Sequence, residues 1–578
     1  MAGIRRGWTP GRRLQRRRFL IAGGASAAAV ALAACRGVAP SPGGNAGSSA
    51  SQGGKPRRGG SITLSNNTVP PSLDPARTSS VGLNRLLAFP YSRLYKFQTG
   101  PGIDGTSYTP VPDLAASYES ADPATWTFKL RPNAKMHDVP PTNGRAVTAQ
   151  DVVYSYQRFQ APTNAAKSDL NMVDSVSAAD AQTVVFKLKY PYTPFLNLMA
   201  APRDLFIIPH ELDDASADKG GDAQQHMVGS GPFIFKSYQQ AQTVSFARNP
   251  NYYLTGADGQ AVPYIDAAAF TLQTDSNALL TQLNAGHIDV ITTQSISLAQ
   301  VQSAKQQNPS LQESDFAPNT YTNFFFSPST YTDNRPPFND VRLRRAISLA
   351  IDRDAINKQV FGGKAPGWDN VAIPAGFSYW WLDPKGKDMG PAGAWYKYDP
   401  AQAKQLLAAA GYPNGLTVQY HTTDAYGATY DQTIDALTGM LQAVGITPKM
   451  ITDNYQSVWI PKNYSGNFEG MLATYIGFWD PDTYYTQAFT PEGSFLPSKV
   501  NDPQINQLLE QERREPDRAK RRDLVWQIQR RASDQMFQVP LVQPATTTVS
   551  LPTIHDYYSN GSSTGYGTEV YPFIWKEQ

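Results

Sequence analysis

Asp480 and Asp482, on either side of Pro481, a Gly561-Ser562-Ser563-Thr564-Gly565 run, and six histidines are the residues from which hydrolytic or metal chemistry could be built. Paired carboxylates divide acid and nucleophile work in glycosidases, but carboxylates flanking a proline read as turn residues. The GxSxG letters make a nucleophile elbow only between a strand and a helix. Here they lie in the loop-like "YYSNGSSTGYG", which reads as a flexible turn. His137, His210, His226, His287, His421 and His555 include no i, i+4 pair and no HExxH, so a zinc hydrolase is unsupported and each histidine reads as structural or surface. Gly229-Ser230-Gly231 runs into Pro232 and lacks the Gly-Lys-Ser/Thr of a phosphate loop. The expectation is therefore no enzyme, no catalytic residue, no cofactor and no metal.

The single cysteine, Cys35, ends "RRRFLIAGGASAAAVALAAC", residues 16–35. A basic start, a short apolar run and a small-residue exit form an export signal. The run is too short for a membrane-spanning helix, which needs about 20 apolar residues, and no comparable run follows. Arg16-Arg17-Arg18-Phe19-Leu20 fits the twin-arginine (Tat) pattern, with Arg16 and Arg17 as the pair. Leu32-Ala33-Ala34-Cys35 resembles a lipobox, which makes Cys35 the lipidated N-terminus of a lipoprotein. An acylated Cys35 leaves no thiol for a disulfide, a nucleophile or a metal. Residues 36–59 are glycine, serine and proline with almost nothing to bury. Such a tether is flexible coil reaching roughly 25 to 30 Å. The expected address is extracytoplasmic, anchored to the cell membrane through Cys35.

The elements behind the tether alternate. Trp126, Phe128 and Leu130 recur with the period of a half-buried strand, as do Val184, Phe186 and Leu188. Thr148 and Asp151 make a capping-box start for the helix "AQDVVYSYQRF". Leu343, Ala346, Ile347, Ala350 and Ile351 fall at helical spacing behind Asp340. Asp399-Pro400 opens a helix with Ala403, Leu406, Leu407 and Ala410 as its stripe, stopped by Gly411. Asp502-Pro503 opens another with Ile505, Leu508 and Leu509, broken at Pro516 and resumed by "DRAKRRDLVWQIQRR". Mixed elements over 578 residues predict α/β or α+β lobes without a solenoid repeat.

Charge narrows the partners. Seven of the 51 basic residues and none of the 48 acidic ones lie within residues 1–35, which leaves 44 against 48 and a net charge of −4. Nucleic acid wants a concentrated basic face, so it is not an expected partner. The clusters at 518–522 and 530–531 read as a solvated helix face.

Several segments, in order, resemble the extracytoplasmic solute-binding proteins of family 5, which serve peptide and nickel ABC importers. They are "GGSITLSNNTVPPSLDPA" with Leu73, Asp74 and Pro75, "VPDLAASYESADPATWTFKLRPNAKMHDVPPTNGRAVTAQDVVYSYQR", "VGSGPF", "FARNPNYY", "LNAGHIDV", "RPPFNDVRLRRAISLAIDR" and "YDPAQAKQLLAAAGYPNG". The resemblance runs from about residue 59 to the end. It implies an α/β, two-lobed periplasmic-binding-protein fold of class II, family-5 type, with an extra inserted domain in the N-terminal lobe. The first lobe would comprise 60–98, 203–322 and 534–578, the insertion 99–202, and the second lobe 323–533. Crossings near 321–326 and 540–543 would form the hinge. The implied function is that of a monomeric substrate-binding component of an ABC importer. It would close on a solute, a peptide first, and deliver it to the permease.

Members of that family resemble one another in holding a peptide as an added strand. Many also hold its α-amino group with an aspartate three residues before the acidic-Pro pair. Counting back from Asp480, that position is Gly477, so the carboxylate is missing. Glu469 or Asp482 would have to replace it, or the ligand carries no ammonium there. Tyr475, Phe478, Trp479, Tyr484 and Tyr485 crowd the same stretch, and Phe324, Phe325, Phe326, Trp380 and Trp381 form a second aromatic group. Aromatic faces suit sugar rings or apolar peptide side chains. The expected ligand contacts are Tyr321, Asn323, Phe325, Trp380, Thr474, Tyr475, Gly477, Phe478 and Trp479. An oligosaccharide or other neutral solute is the second reading, nickel is disfavoured without a histidine pair, and an anchored extracellular hydrolase is the rival from another class.

Overall fold

The computed structural model describes residues 54–66, 69–70, 73–75, 81–100, 103, 105–161, 164–212, 227–273, 275–291, 296–317, 319–490, 498–557 and 568–577. The export signal with Arg16, Arg17 and Cys35, most of the tether, His226 and Gly561–Gly565 lie outside the described residues.

Three sheets organise the chain. The largest has seven strands, in the order Gln312–Phe316, Thr546–Ser550, Val290–Ile291, Ser61–Asn66, Ala267–Leu272, Thr243–Arg248 and Phe233–Gln239. Ser61–Asn66 runs parallel to both neighbours and the remaining pairs are antiparallel. Its core gathers Phe89, Phe233, Phe246, Phe270 and Tyr571.

The second sheet has four antiparallel strands, Ala115–Asp122, Thr125–Leu130, Thr183–Leu188 and Val173–Asp180. Trp126, Phe128, Leu130, Val184, Phe186 and Leu188 are buried, as their alternation requires. Phe195 closes this core 5.6 Å from Trp126 and 5.3 Å from Phe186. Helix Ala149–Phe159 packs on the sheet, and Asp151 accepts the Thr148 backbone N–H at 2.9 Å at its start.

The third sheet is mixed, in the order Ile446–Thr452, Leu416–Thr422, Met471–Gly477, Thr320–Phe326 and Val539–Pro540. Every residue of Thr320–Phe326 is buried, the polar Thr320, Thr322 and Asn323 included, so burial does not alternate along it. The helices expected around it form at Val341–Leu349, Pro400–Ala409, Pro503–Arg514 and Arg518–Gln535. Asp340, Asp399 and Asp502 cap the first three, and Pro is the first residue in the Asp-Pro cases. Leu406 is only half-buried, so Ala403 and Leu407 carry that helix's inner stripe.

The four-stranded sheet lies within the segment 99–202. The chain passes from the seven-stranded to the five-stranded sheet between Phe316 and Thr320, and returns between Pro540 and Thr546. The expected boundaries at 323 and 534 fall instead inside strand Thr320–Phe326 and helix Arg518–Gln535. Strand pairing, which a local pattern does not carry, sets these crossings. The return is pinned by Arg353, whose buried guanidinium donates to Pro540 O at 2.9 and 2.7 Å. Thr322 Oγ1 reaches Gln543 at 2.5 Å, and Leu541 N donates to Thr322 O at 3.0 Å.

Candidate ligand-binding site

Strand Met471–Gly477 pairs along its whole length with Thr320–Phe326, from Thr320 opposite Gly477 to Phe326 opposite Met471. On its other edge only Met471 and Leu472 pair, with Tyr420 and His421. Among the described residues, 473–477 has no strand on that edge. The register places Tyr321, Asn323 and Phe325 on one face with Ile476, Thr474 and Leu472. Tyr475 and Gly477 lie on the other face, opposite Thr322 and Thr320.

Tyrosines gather at the open edge. Tyr430 OH donates to Ala473 O at 2.7 Å, and Tyr464 OH to Tyr475 O at 3.3 Å. The Tyr426 ring lies 5.0 Å from Tyr475, 5.1 Å from Tyr430 and 5.7 Å from Tyr455. Burial raises the phenol pKa of Tyr426, Tyr430, Tyr464 and Tyr475, which keeps all four protonated at neutral pH. Beside Tyr426 and Tyr475 opens a small cleft. Ile296, Leu298, Thr546 and Thr547 line it from the side of the seven-stranded sheet, and Phe361, Lys364 and Thr429 from the side of the five-stranded one. Lys364 joins the two sides through Glu313 and, at 3.0 Å, Asp315.

Gly477 has no room for the carboxylate that the sequence lacks. A Cβ there would lie 2.6 Å from Thr320 Cγ2. Neither proposed substitute is available. Glu469 is exposed before the opposite end of the strand, paired with Arg335 at 2.6 Å. Asp482 is buried and accepts from Tyr192 OH and Arg513 Nε, each at 2.6 Å.

Asp480 is not merely a turn residue. It caps helix Pro481–Phe489 by accepting Asp482 N at 2.9 Å. Arg521 Nη1 and Asn197 Nδ2 also donate to it, each at 2.9 Å. Burial raises the Asp480 carboxyl against the pull of Arg521. Burial pushes Asp482 the same way, but Arg513 and Tyr192 outweigh it and hold that carboxyl below its ordinary value. These carboxylates are spent on internal partners, which leaves no general acid and nucleophile pair.

Of the expected contacts, Tyr321, Asn323, Phe325 and Thr474 lie on one face of the two paired strands, and Tyr475 and Gly477 on the other. Phe478 and Trp479 continue past the strand end, and Arg203 stacks 5.5 and 5.1 Å from their ring centres. Trp380 is not brought to the strand pair. Its ring lies 4.8 Å from the Arg521 guanidinium, and its carbonyl accepts from Gln529 Nε2 at 2.7 Å, so it packs on helix Arg518–Gln535. Sequence reading missed Tyr426, Tyr430 and Tyr464, because their spacing has no period tying them to the strand.

The remaining chemistry-bearing residues are engaged elsewhere. A Cβ on Gly229 or Gly231 would come within 2.2 Å of Pro90 O or 2.5 Å of Phe89 O, so Gly-Ser-Gly is a close backbone crossing. Asp151, His210 and Glu211 bring ligand-type atoms within 4.8 Å of one another. Arg145, however, already donates to both carboxylates.

The family description "Bacterial extracellular solute-binding proteins, family 5 Middle" matches residues 109–495. Di/tripeptide-binding protein 2 of Pseudomonas aeruginosa (strain UCBPP-PA14) is 26% identical over 510 residues, covering 84% of this chain and 89% of its own. The periplasmic binding protein DppA from Helicobacter pylori, solved with the peptide STSA, superposes with a TM-score of 0.74 at 22% identity, over 90% of this chain and 99% of that one. AgaA from A.tumefacien R10, solved with agropinic acid, superposes with a TM-score of 0.72 at 23% identity, over the same shares. At these identities the two solved structures speak for the fold alone.

Proposed function

The chain belongs to the bacterial extracellular solute-binding proteins, family 5, and on that premise we propose that it is the substrate-binding component of an ABC importer, taking a peptide between two lobes and delivering it to a membrane permease. One lobe is the seven-stranded body with the four-stranded sheet inserted. The other is the five-stranded body. The observation that carries the peptide reading is the edge of 473–477, which has no neighbouring strand among the described residues and lies beside the cleft at Tyr475. An extended peptide pairs with such an edge through its main chain, and pockets beside it receive alternate side chains. Thr474, Tyr475 and Gly477 belong to this edge, Phe478 and Trp479 continue past its end, and Tyr321, Asn323 and Phe325 lie on the strand paired behind it.

The proposal includes the address. Cys35 carries the lipid, residues 36–59 form the leash, and the monomeric body stays near its permease at raised effective concentration. The described residues contain no helix long and apolar enough to cross a membrane. The family binds rather than converts its solutes, and no catalytic role is proposed for this chain.

A second reading, an oligosaccharide or other neutral solute, is favoured by the tyrosine rings and threonine hydroxyls at the cleft. Amide hydrogen exchange decides between the two. With a tripeptide mixture, exchange at 473–477 is expected to slow. Slowing with a neutral trisaccharide and none with tripeptides would overturn the peptide reading.

A further inference from the structure

The ion pairs behind Asp480 and Asp482 come from their own side of the molecule, whereas two further donors come from the other. Arg513 and Arg521 belong to the helices packed around the five-stranded sheet. Tyr192 and Asn197 belong to the segment that completes the four-stranded sheet's core. The same line of contact holds Thr193 N to Arg513 O at 2.7 Å and Gln487 Nε2 to Asp169 at 3.3 Å.

We propose that the Asp480-Pro481-Asp482 turn is the catch of an interlobe latch, and that Tyr192 and Asn197 are the positioning residues that engage it when the lobes close. This rests on the reading that two lobes close on a solute. Closing strips water from both carboxylates, and a donor that replaces a lost water on a charged acceptor offsets that cost. The arginines are bound in either state, so they stabilise the carboxylates without favouring closure. Tyr192 and Asn197 donate only across the gap. They therefore set how readily the clamp shuts, and through that the affinity for solute, without touching the solute.

The test needs no knowledge of the ligand. Thr106 Oγ1 and Ser378 Oγ face each other across the same boundary at 2.5 Å. Cys35 is the only cysteine in the chain, so Thr106→Cys with Ser378→Cys in a Cys35→Ser background introduces a single thiol pair. Its rate of disulfide formation under mild oxidant, without added solute, reports how often the lobes meet. Tyr192→Phe is expected to slow it about tenfold, the ratio for one hydrogen bond to a buried charge. Asn197→Ala should slow it in the same direction, while thermal midpoints stay near the parent's. Unchanged rates in both variants would overturn the latch. A parent pair that never cross-links would overturn the closing-lobe reading itself, which keeps the two failures apart.

Discussion

His137 illustrates how little of a residue's role its type reveals. Its ring is fully buried, with Nε2 3.0 Å from Gly231 O and Nδ1 accepting Gly229 N at 3.4 Å. It clips the loop after Met136 to the Gly-Ser-Gly crossing. From sequence it could be read only as structural or surface, because neither contact is local. Burial lowers its pKa from 6.5 to about 4. The unfolded chain takes up a proton near pH 6.5 that the folded chain refuses until about pH 4. Stability should therefore be full above pH 6.5 and fall as the pH drops to 4, by up to about 3 kcal/mol. Denaturant midpoints against pH should show this slope, and His137→Gln should remove its share. An identical slope in the variant would place the sensitivity elsewhere. Asp480 and Asp482 teach the same lesson, since as letters they suit a glycosidase and in place they are a helix cap and an ion-pair hub.

At the scale of elements, legibility followed locality. The half-buried strands and the helices headed by Asp340, Asp399 and Asp502 were readable because period and cap lie within a few residues of each other. The pairing of Thr320–Phe326 with Met471–Gly477 was not readable, since it joins segments about 150 residues apart. For the same reason Trp380 was grouped by residue type with a site it does not join. The pairing also gives Gly477 its reason. Gly477→Ala should cost about 1–3 kcal/mol, because its methyl has to displace Thr320 Cγ2. Thr320→Ser removes that methyl and should recover most of the loss. A double variant as unstable as Gly477→Ala alone would show that the strands do not meet as described.

At the scale of the whole molecule, the proposed clamp has a seam with two closed sides. On one, Lys364 meets Glu313 and Asp315, and Leu298 meets Gly362 so closely that a Cβ there would lie 2.3 Å from Leu298 Cδ2. On the other, Tyr108 meets Phe377 edge-on with ring centres 4.9 Å apart, and Tyr192 and Asn197 reach the two aspartates. The first side joins segments about 50 to 65 residues apart and the second segments well over 200 apart, so neither is visible to a short window of sequence. The family resemblance gave the order of the parts, and the contacts show how they interlock. Small-angle scattering, with and without a solute that binds, reads the closing of the lobes itself. The radius of gyration is expected to fall on saturation. A solute that binds tightly and leaves the curve unchanged would contradict that closing.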